Sequence, residues 1–226
     1  MMLLAIDTAT RHASIALYDE RGIAAEHSWS SRNRHSTELT PAIAAMLAQQ
    51  ERTAEALTGV AVTGGPGSFT GLRIGMSVAK GLALGLGIPI LAIPTLDVVA
   101  YAAGDPGMPV VAVLEAGRGR LCVNTYQFVE GLPEAQGEVA IVSEARWVPD
   151  VDGPFLLTGE VNASLAELLL EAPGGERVLV STPAGCLRRA GYLAELAWER
   201  LQQGSADDLD ALSPTYAHYP ASGNGA

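Results

Sequence analysis

The sequence predicts an α/β chain built as two similar halves. Short apolar runs of strand length alternate with longer segments of helical spacing. Each half opens on a strand, a tight turn and a second strand. Loop-forming residues concentrate near the middle, at Ala103-Gly104-Asp105-Pro106-Gly107. The chain has 226 residues, 48% of them apolar, enough for one large core or two smaller ones.

In the first half, Leu3 to Ala9 and Ala13 to Asp19 read as strands joined near Thr10-Arg11-His12, and Ile23 to Ser30 as a third. A helix is expected from about Ser36 to Gln50, where Leu39, Ile43, Met46 and Leu47 fall at i, i+4, i+7 and i+8. Pro41 is expected to delay or bend its start. Val60 to Thr63 is a strand, Leu72 to Gly87 a helix, and Pro89 to Thr95 a strand. A boundary follows near residue 104, giving domains 1–104 and 105–219 with a tail at 220–226. In the second half, strands are expected at Val110 to Leu114, Leu121 to Val129, Val139 to Val142, Phe155 to Leu157 and Val178 to Val180. Helices are expected at Leu165 to Leu170 and Leu187 to Gln203; the latter ends at Gly204 and is a candidate to pack back on the first domain. The tail is expected to fray after Tyr219.

One run stands out: Gly65-Pro66-Gly67-Ser68-Phe69-Thr70-Gly71-Leu72-Arg73-Ile74-Gly75, between a strand and a helix. Free backbone N–H groups at such a helix start suit a phosphate, and the glycines equally suit close packing. The run is no P-loop, because Lys80 is the only lysine and comes too late, and Thr70 stands where the dinucleotide fingerprint needs its last glycine. Ser68 reads as the helix N-cap. Gly71, Gly75 and Ala79 leave one side of the helix almost without bulk.

Net charge is −11, so direct nucleic-acid binding by the chain alone is not expected. Cys122 and Cys186 form neither a metal spacing nor a disulfide framework, and a reducing, cytoplasmic setting is expected. The N-terminal apolar run lacks a basic flank and is interrupted by Asp7, so it reads as a strand; no run is long enough to span a membrane. His12, His27, His35 and His218 offer no i, i+4 pair, so no metal site is expected, and His35 reads as a surface or capping residue. Ser68 has no evident base beside it, which argues against peptidase chemistry.

Two α/β halves that each open on a hairpin suggest a duplicated fold of the actin, sugar-kinase and Hsp70 type (ASKHA). In that fold the first hairpin places an Asp near a phosphate; Asp7, Thr8 and Ser68 are then candidate nucleotide or phosphate contacts. A hydrogen-bonded strand end is the other reading of Asp7.

The first half resembles the TsaB (YeaZ) family. The matching pieces are Leu4-Ala5-Ile6-Asp7-Thr8-Ala9-Thr10, Arg34-His35-Ser36, the run from Gly65 to Gly75, and Lys80-Gly81-Leu82-Ala83, with looser matches at Pro94-Thr95-Leu96 and Pro214-Thr215-Tyr216. The second half departs from the family pattern: Glu115-Ala116-Gly117 and Arg120-Leu121-Cys122 replace the usual Asp-Ala-Arg and its following Glu, and Tyr216-Ala217-His218 replaces Tyr-x-Arg.

The resemblance implies a non-catalytic subunit in the synthesis of N6-threonylcarbamoyladenosine on tRNA. It implies pairing with a TsaD-type transferase, docking of a TsaE-type ATPase, a homodimer when alone, and contact with tRNA through the complex. No cofactor is implied for the isolated chain; ATP or ADP and Mg2+ enter only in the assembly. The implied partner face comprises Leu39, Ile43, Met46 and Leu47 with Gly71, Leu72, Gly75, Met76 and Ala79, and packing within the chain's own domain is the other reading of the same stripes. Arg32, Arg34, Arg118, Arg120, Arg188 and Arg189 are candidate tRNA contacts at the complex edge, or solvated charge. The rival function is a sugar-kinase-type phosphotransferase, for which Gly174-Gly175 is the nearest candidate adenosine motif; a peptidase is the weaker rival.

Overall fold

The computed structural model describes residues 1–31 and 34–216. Its contacts divide the chain into two compact units. The first holds residues 1–98 and 188–215, and the second holds residues 99–187 with Tyr216. The expected break near residue 104 falls inside the second unit: the chain crosses after residue 98, returns for residues 188–215, and crosses again before Tyr216.

In the first unit the strands are β1 (Met2–Asp7), β2 (His12–Asp19), β3 (Gly22–Ser30), β4 (Gly59–Gly65) and β5 (Ile90–Pro94), in the order β3-β2-β1-β4-β5. β1 pairs antiparallel with β2 and parallel with β4. Alternation along the strands sends side chains to two separate cores. Leu4, Ile6, Ile15, Leu17, Val60 and Val62 meet helices α1 (His35–Gln49) and α2 (Phe69–Leu86). Leu3, Ala5, Ala16, Ala61, Leu91 and Ile93 meet the helix at Ala190–Gln202. A sheet covered on both faces explains why β1 and β4 read as unbroken apolar runs.

The C-terminal helix belongs here because Leu193, Ala194, Ala197, Trp198 and Leu201 fill that second core. The segment beyond it stays attached. Ala92 N–H donates to Asp207 Oδ2 at 2.6 Å, Lys80 Nζ donates to the Leu212 carbonyl at 3.0 Å, and Thr215 N–H donates to the Gly64 carbonyl at 2.7 Å. The only lysine thus ties down chain rather than binding a phosphate.

α1 starts at His35 and runs through Pro41. Pro41 removes the bond to the Thr37 carbonyl, but both residues are exposed, so water replaces the lost donor. A helix at Thr95–Ala103, α3, was not legible: Leu96, Val98, Val99 and Ala100 are buried and Asp97 is its one charged residue, too little polar pattern to set a period.

The second unit has β6 (Val110–Glu115), β7 (Arg120–Val129), β8 (Leu132–Ala135), β9 (Ala140–Ser143), β10 (Phe155–Gly159) and β11 (Val178–Val180). The order β11-β10-β6-β7-β8 repeats that of the first sheet: a hairpin partner and an outer antiparallel strand on one side, two parallel strands on the other. β9 pairs with β7. One face packs on α4 (Ala163–Glu171) through Val111, Val113, Leu121, Val123, Phe155, Leu157, Leu165 and Leu169. β8 has the sequence Leu-Pro-Glu-Ala and lacks strand alternation; as an edge strand it tolerates Pro133. The last helix, expected to begin at Leu187, begins at Ala190 and is α5. The residues expected to fray lie outside those described.

Candidate functional site: the Asp7 turn and the glycine-rich run

Asp7 ends β1 and is 1% exposed. Its carboxylate accepts from Ala9 N–H at 3.0 Å and Thr63 Oγ1 at 3.3 Å. Arg188, itself buried, donates to it through Nε and again through Nη2 at 3.3 Å. Nη2 also reaches Thr10 Oγ1 at 3.0 Å. The strand-end reading of Asp7 therefore holds, with an addition that the sequence did not reveal. A guanidinium 181 positions further along the chain neutralises the buried carboxylate. Two planar forks meeting in a buried place give this pair both geometry and charge.

Thr8 and Ser68 are spent in the same way. Thr8 Oγ1 donates to the Gly71 carbonyl at 2.8 Å. Ser68 Oγ accepts from Gly71 N–H at 3.3 Å, the expected N-cap, and Ser68 N–H donates to the Ala9 carbonyl at 2.6 Å. Asp7 and Thr8 are thus buried and hydrogen-bonded within the chain, while Ser68 caps α2 from an exposed position. Among the described residues, the bond to the Ser68 hydroxyl oxygen comes from Gly71 N–H.

The glycines of the run are explained by the same turn. A Cβ on Gly71 would lie 2.1 Å from the Thr8 carbonyl oxygen, and one on Gly75 would lie 2.2 Å from Thr8 Oγ1. Gly67 meets the Ala9 carbonyl at 2.4 Å, and Gly65, at φ +110°, meets that of Thr215 at 2.1 Å. The bulk-free side of α2 is thus a socket for the chain's own Asp7–Thr10 turn. Pro66 follows Gly65 through a cis peptide bond. Phe69 is exposed and carries the Arg73 guanidinium 3.8 Å from its ring centroid, beside exposed Thr70.

The expected partner stripe packs within its own unit. Leu39, Ile43, Met46, Leu47, Leu72, Met76 and Ala79 are each at most 5% exposed. All but Leu72 join the core between the two helices and the sheet. The side of α1 open to solvent is instead Pro41, Ala44, Ala45 and Ala48, and that of α2 is Ser77, Gly81, Leu84 and Gly85.

His35 is neither a surface nor a capping residue. It is 5% exposed, with no partner for Nδ1 among the described residues. Burial pushes its pKa below the usual imidazole value, opposed by a bond to the Thr10 backbone and by the charges of Glu38 and Asp7. Glu38 is held below the usual carboxylate range by hydrogen bonds from Ser31 and Trp29, then by Arg34 and His35.

Among the candidate tRNA arginines, Arg188 is buried on Asp7, while Arg34 pairs with Glu38 at 3.0 Å and Arg189 with Glu26 at 2.9 Å. Arg118 is exposed, Arg120 Nε donates to the Gly117 carbonyl, and Arg32 lies outside the described residues. Gly174-Gly175 is a turn at the end of α4, where a Cβ on Gly175 would meet the Leu170 carbonyl at 2.1 Å. No helix among the described residues is long and apolar enough to cross a membrane.

Two α/β units share one strand order, and in the first of them the aspartate that ends β1 is neutralised by a buried arginine. Residues 21–171 match the family model of TsaD, tRNA N6-adenosine threonylcarbamoyltransferase. The chain is 32% identical to the tRNA threonylcarbamoyladenosine biosynthesis protein TsaB of Bacillus subtilis, over 96% of this chain and 93% of that one. It is 34% identical to Escherichia coli TsaB over 56% of this chain and 55% of that one. Among solved structures it is similar to YeaZ from Pseudomonas aeruginosa, with a TM-score of 0.80 and 26% identity, covering 96% of this chain and 99% of that one. The chain belongs to the TsaB family.

Proposed function

We propose that this chain is a non-catalytic subunit of the machinery that makes N6-threonylcarbamoyladenosine on tRNA, paired with a TsaD-type transferase. The observation that carries the reading is the Arg188–Asp7 pair in a chain of this family. A carboxylate already neutralised by a buried guanidinium, with Thr8 bonded to α2 and Ser68 capping it, supports a chain that does not itself hold Mg-ATP. The same facts weigh against the phosphotransferase and peptidase rivals. ATP or ADP and Mg2+ are then left to the assembled complex.

The solvent sides of α1 and α2 are the partner face in this reading. Ala44, Ala45 and Ala48 beside Ser77, Gly81, Leu84 and Gly85 make a surface of small uncharged groups, over which a second pair of helices packs closely. The match to a TsaD family model supports a pseudo-symmetric pair of like folds, and an isologous homodimer when the chain is alone. A TsaE-type ATPase docks on the pair, and tRNA is met through the complex.

The test is threonylcarbamoyladenosine formation on tRNA by purified TsaC-, TsaD- and TsaE-type proteins, with and without this chain. Strict dependence is expected. Full product in its absence overturns the reading.

A further inference from the structure

A cleft of about 330 Å3 opens in the first unit where β1 begins, at the opposite end of that strand from Asp7. It is lined by Met2, Asp19, Arg21, Ile23, Ala24, Gln50 and Arg52. Local structure fixes both arginines at the backbone. Arg21 N–H donates to Asp19 Oδ1 at 2.8 Å in the β2–β3 turn. Glu51 takes a positive φ of 52° after α1, and Arg52 N–H then returns to the Leu47 carbonyl at 3.0 Å.

The side chains are the unusual part. This chain has 25 acidic and 14 basic residues, so guanidiniums have partners in plenty. In the same unit Arg34, Arg188, Arg189 and Arg200 are each ion-paired. Arg21 and Arg52 have neither an ion pair nor a side-chain hydrogen bond among the described residues. Arg21 feels the charge of Glu20, whose carboxylate is taken by the N-terminal ammonium. Two guanidiniums lining one cleft repel each other until an anion lies between them. Asp19, one oxygen already used, offsets a single positive charge and leaves the cleft net positive. Ile23, 43% exposed, gives it an apolar rim for the body of a larger ligand.

We propose that this cleft binds a phosphate group, with Arg21 and Arg52 as its ligands and Gln50 as a further donor. The phosphate comes either from an RNA backbone or from a free nucleotide or inorganic phosphate. The inference stands on the cleft's own residues and does not need the subunit reading, since it is tested on the chain alone.

The experiment uses the full chain at low salt. Fluorescence anisotropy follows a labelled unmodified tRNA across a salt series, and thermal shift follows inorganic phosphate and ATP. Arg21→Gln and Arg52→Gln are each expected to weaken binding about fivefold or more and to lower the slope of log K against log salt by about 1. Asp19→Asn is expected to strengthen it, a change of sign that a merely structural role would not give. Loss confined to tRNA assigns a backbone phosphodiester; loss for inorganic phosphate and ATP as well assigns a free phosphate group. Binding unchanged in both arginine variants, or weakened by Asp19→Asn, overturns the proposal. Circular dichroism melts of the three variants, all at exposed or half-buried positions, are expected to match the parent.

Discussion

Arg188 and Asp7 lie 181 positions apart in the chain and form a buried ion pair. The pair joins the segment entering α5 to the end of β1, within the unit that also holds the glycine-rich run. It is braced by Thr63, Thr10 and the Ala9 N–H, so the remaining polar positions around the carboxylate are filled. One contact thus links the two chain segments that make up the first unit.

Breaking the pair from one side leaves an uncompensated buried charge. Arg188→Met or Asp7→Asn alone is expected to lower stability by about 3–5 kcal/mol. The double variant Asp7→Asn/Arg188→Met is expected to lose less than the sum, because neither charge is then stranded. Urea denaturation of the four proteins checks this; strict additivity would mean that the pair is not coupled.

Gly71 and Gly75 face Thr8 in different ways, and substitutions separate them. Gly71→Ala drives its methyl into a backbone carbonyl and is expected to cost about 1–3 kcal/mol. Gly75→Ala meets only the Thr8 hydroxyl, so the strain is relieved in the double variant Thr8→Ala/Gly75→Ala. Thr8→Ala is expected to give no relief to Gly71→Ala. Midpoints of thermal unfolding read the difference directly.

Much of this was legible in the sequence, for physical reasons. The unbroken apolar runs of β1 and β4, the i, i+4, i+7 stripe of α1 and the Ser68 cap are local signals, and the elements fall close to where those signals place them. What the stripe could not say was which surface it meets. Met46 and Gly75 carry the same sequence signature whether they face a partner or their own sheet, and the structure turns both inward. Arg188 could not be assigned to Asp7, because no short motif links residues so far apart. α3 was missed because it is nearly all apolar, with Asp97 its one charged residue, which leaves no periodicity to read, and β8 because an edge strand of four residues has none to show.

His35 makes the first unit sensitive to acid. Its folded pKa lies below the ordinary value of 6.5, so the unfolded chain binds a proton that the folded one refuses. Stability is therefore expected to fall as pH drops below about 6.5, by at most about 1.4 kcal/mol per pH unit from this group, until the folded imidazole also titrates. His35→Gln is expected to flatten that part of the curve. Urea midpoints between pH 7 and 5 check it, and an unchanged slope in the variant would assign the acid sensitivity to other groups.

The partner face is tested by two substitutions with opposite expected outcomes. Met46→Glu buries a carboxylate in the core against α2 and the sheet, and it is expected to unfold the chain rather than merely separate it from a partner. Leu84→Asp changes a side chain that is 74% exposed, on the side of α2 beside Gly81 and Gly85, and is expected to leave the melting temperature of the monomer unchanged. It removes apolar surface and places a charge at the centre of the proposed interface, so association with a TsaD-type subunit is expected to weaken at least tenfold by light scattering or calorimetry. Undiminished association by a folded Leu84→Asp protein would move the partner surface off α2 altogether.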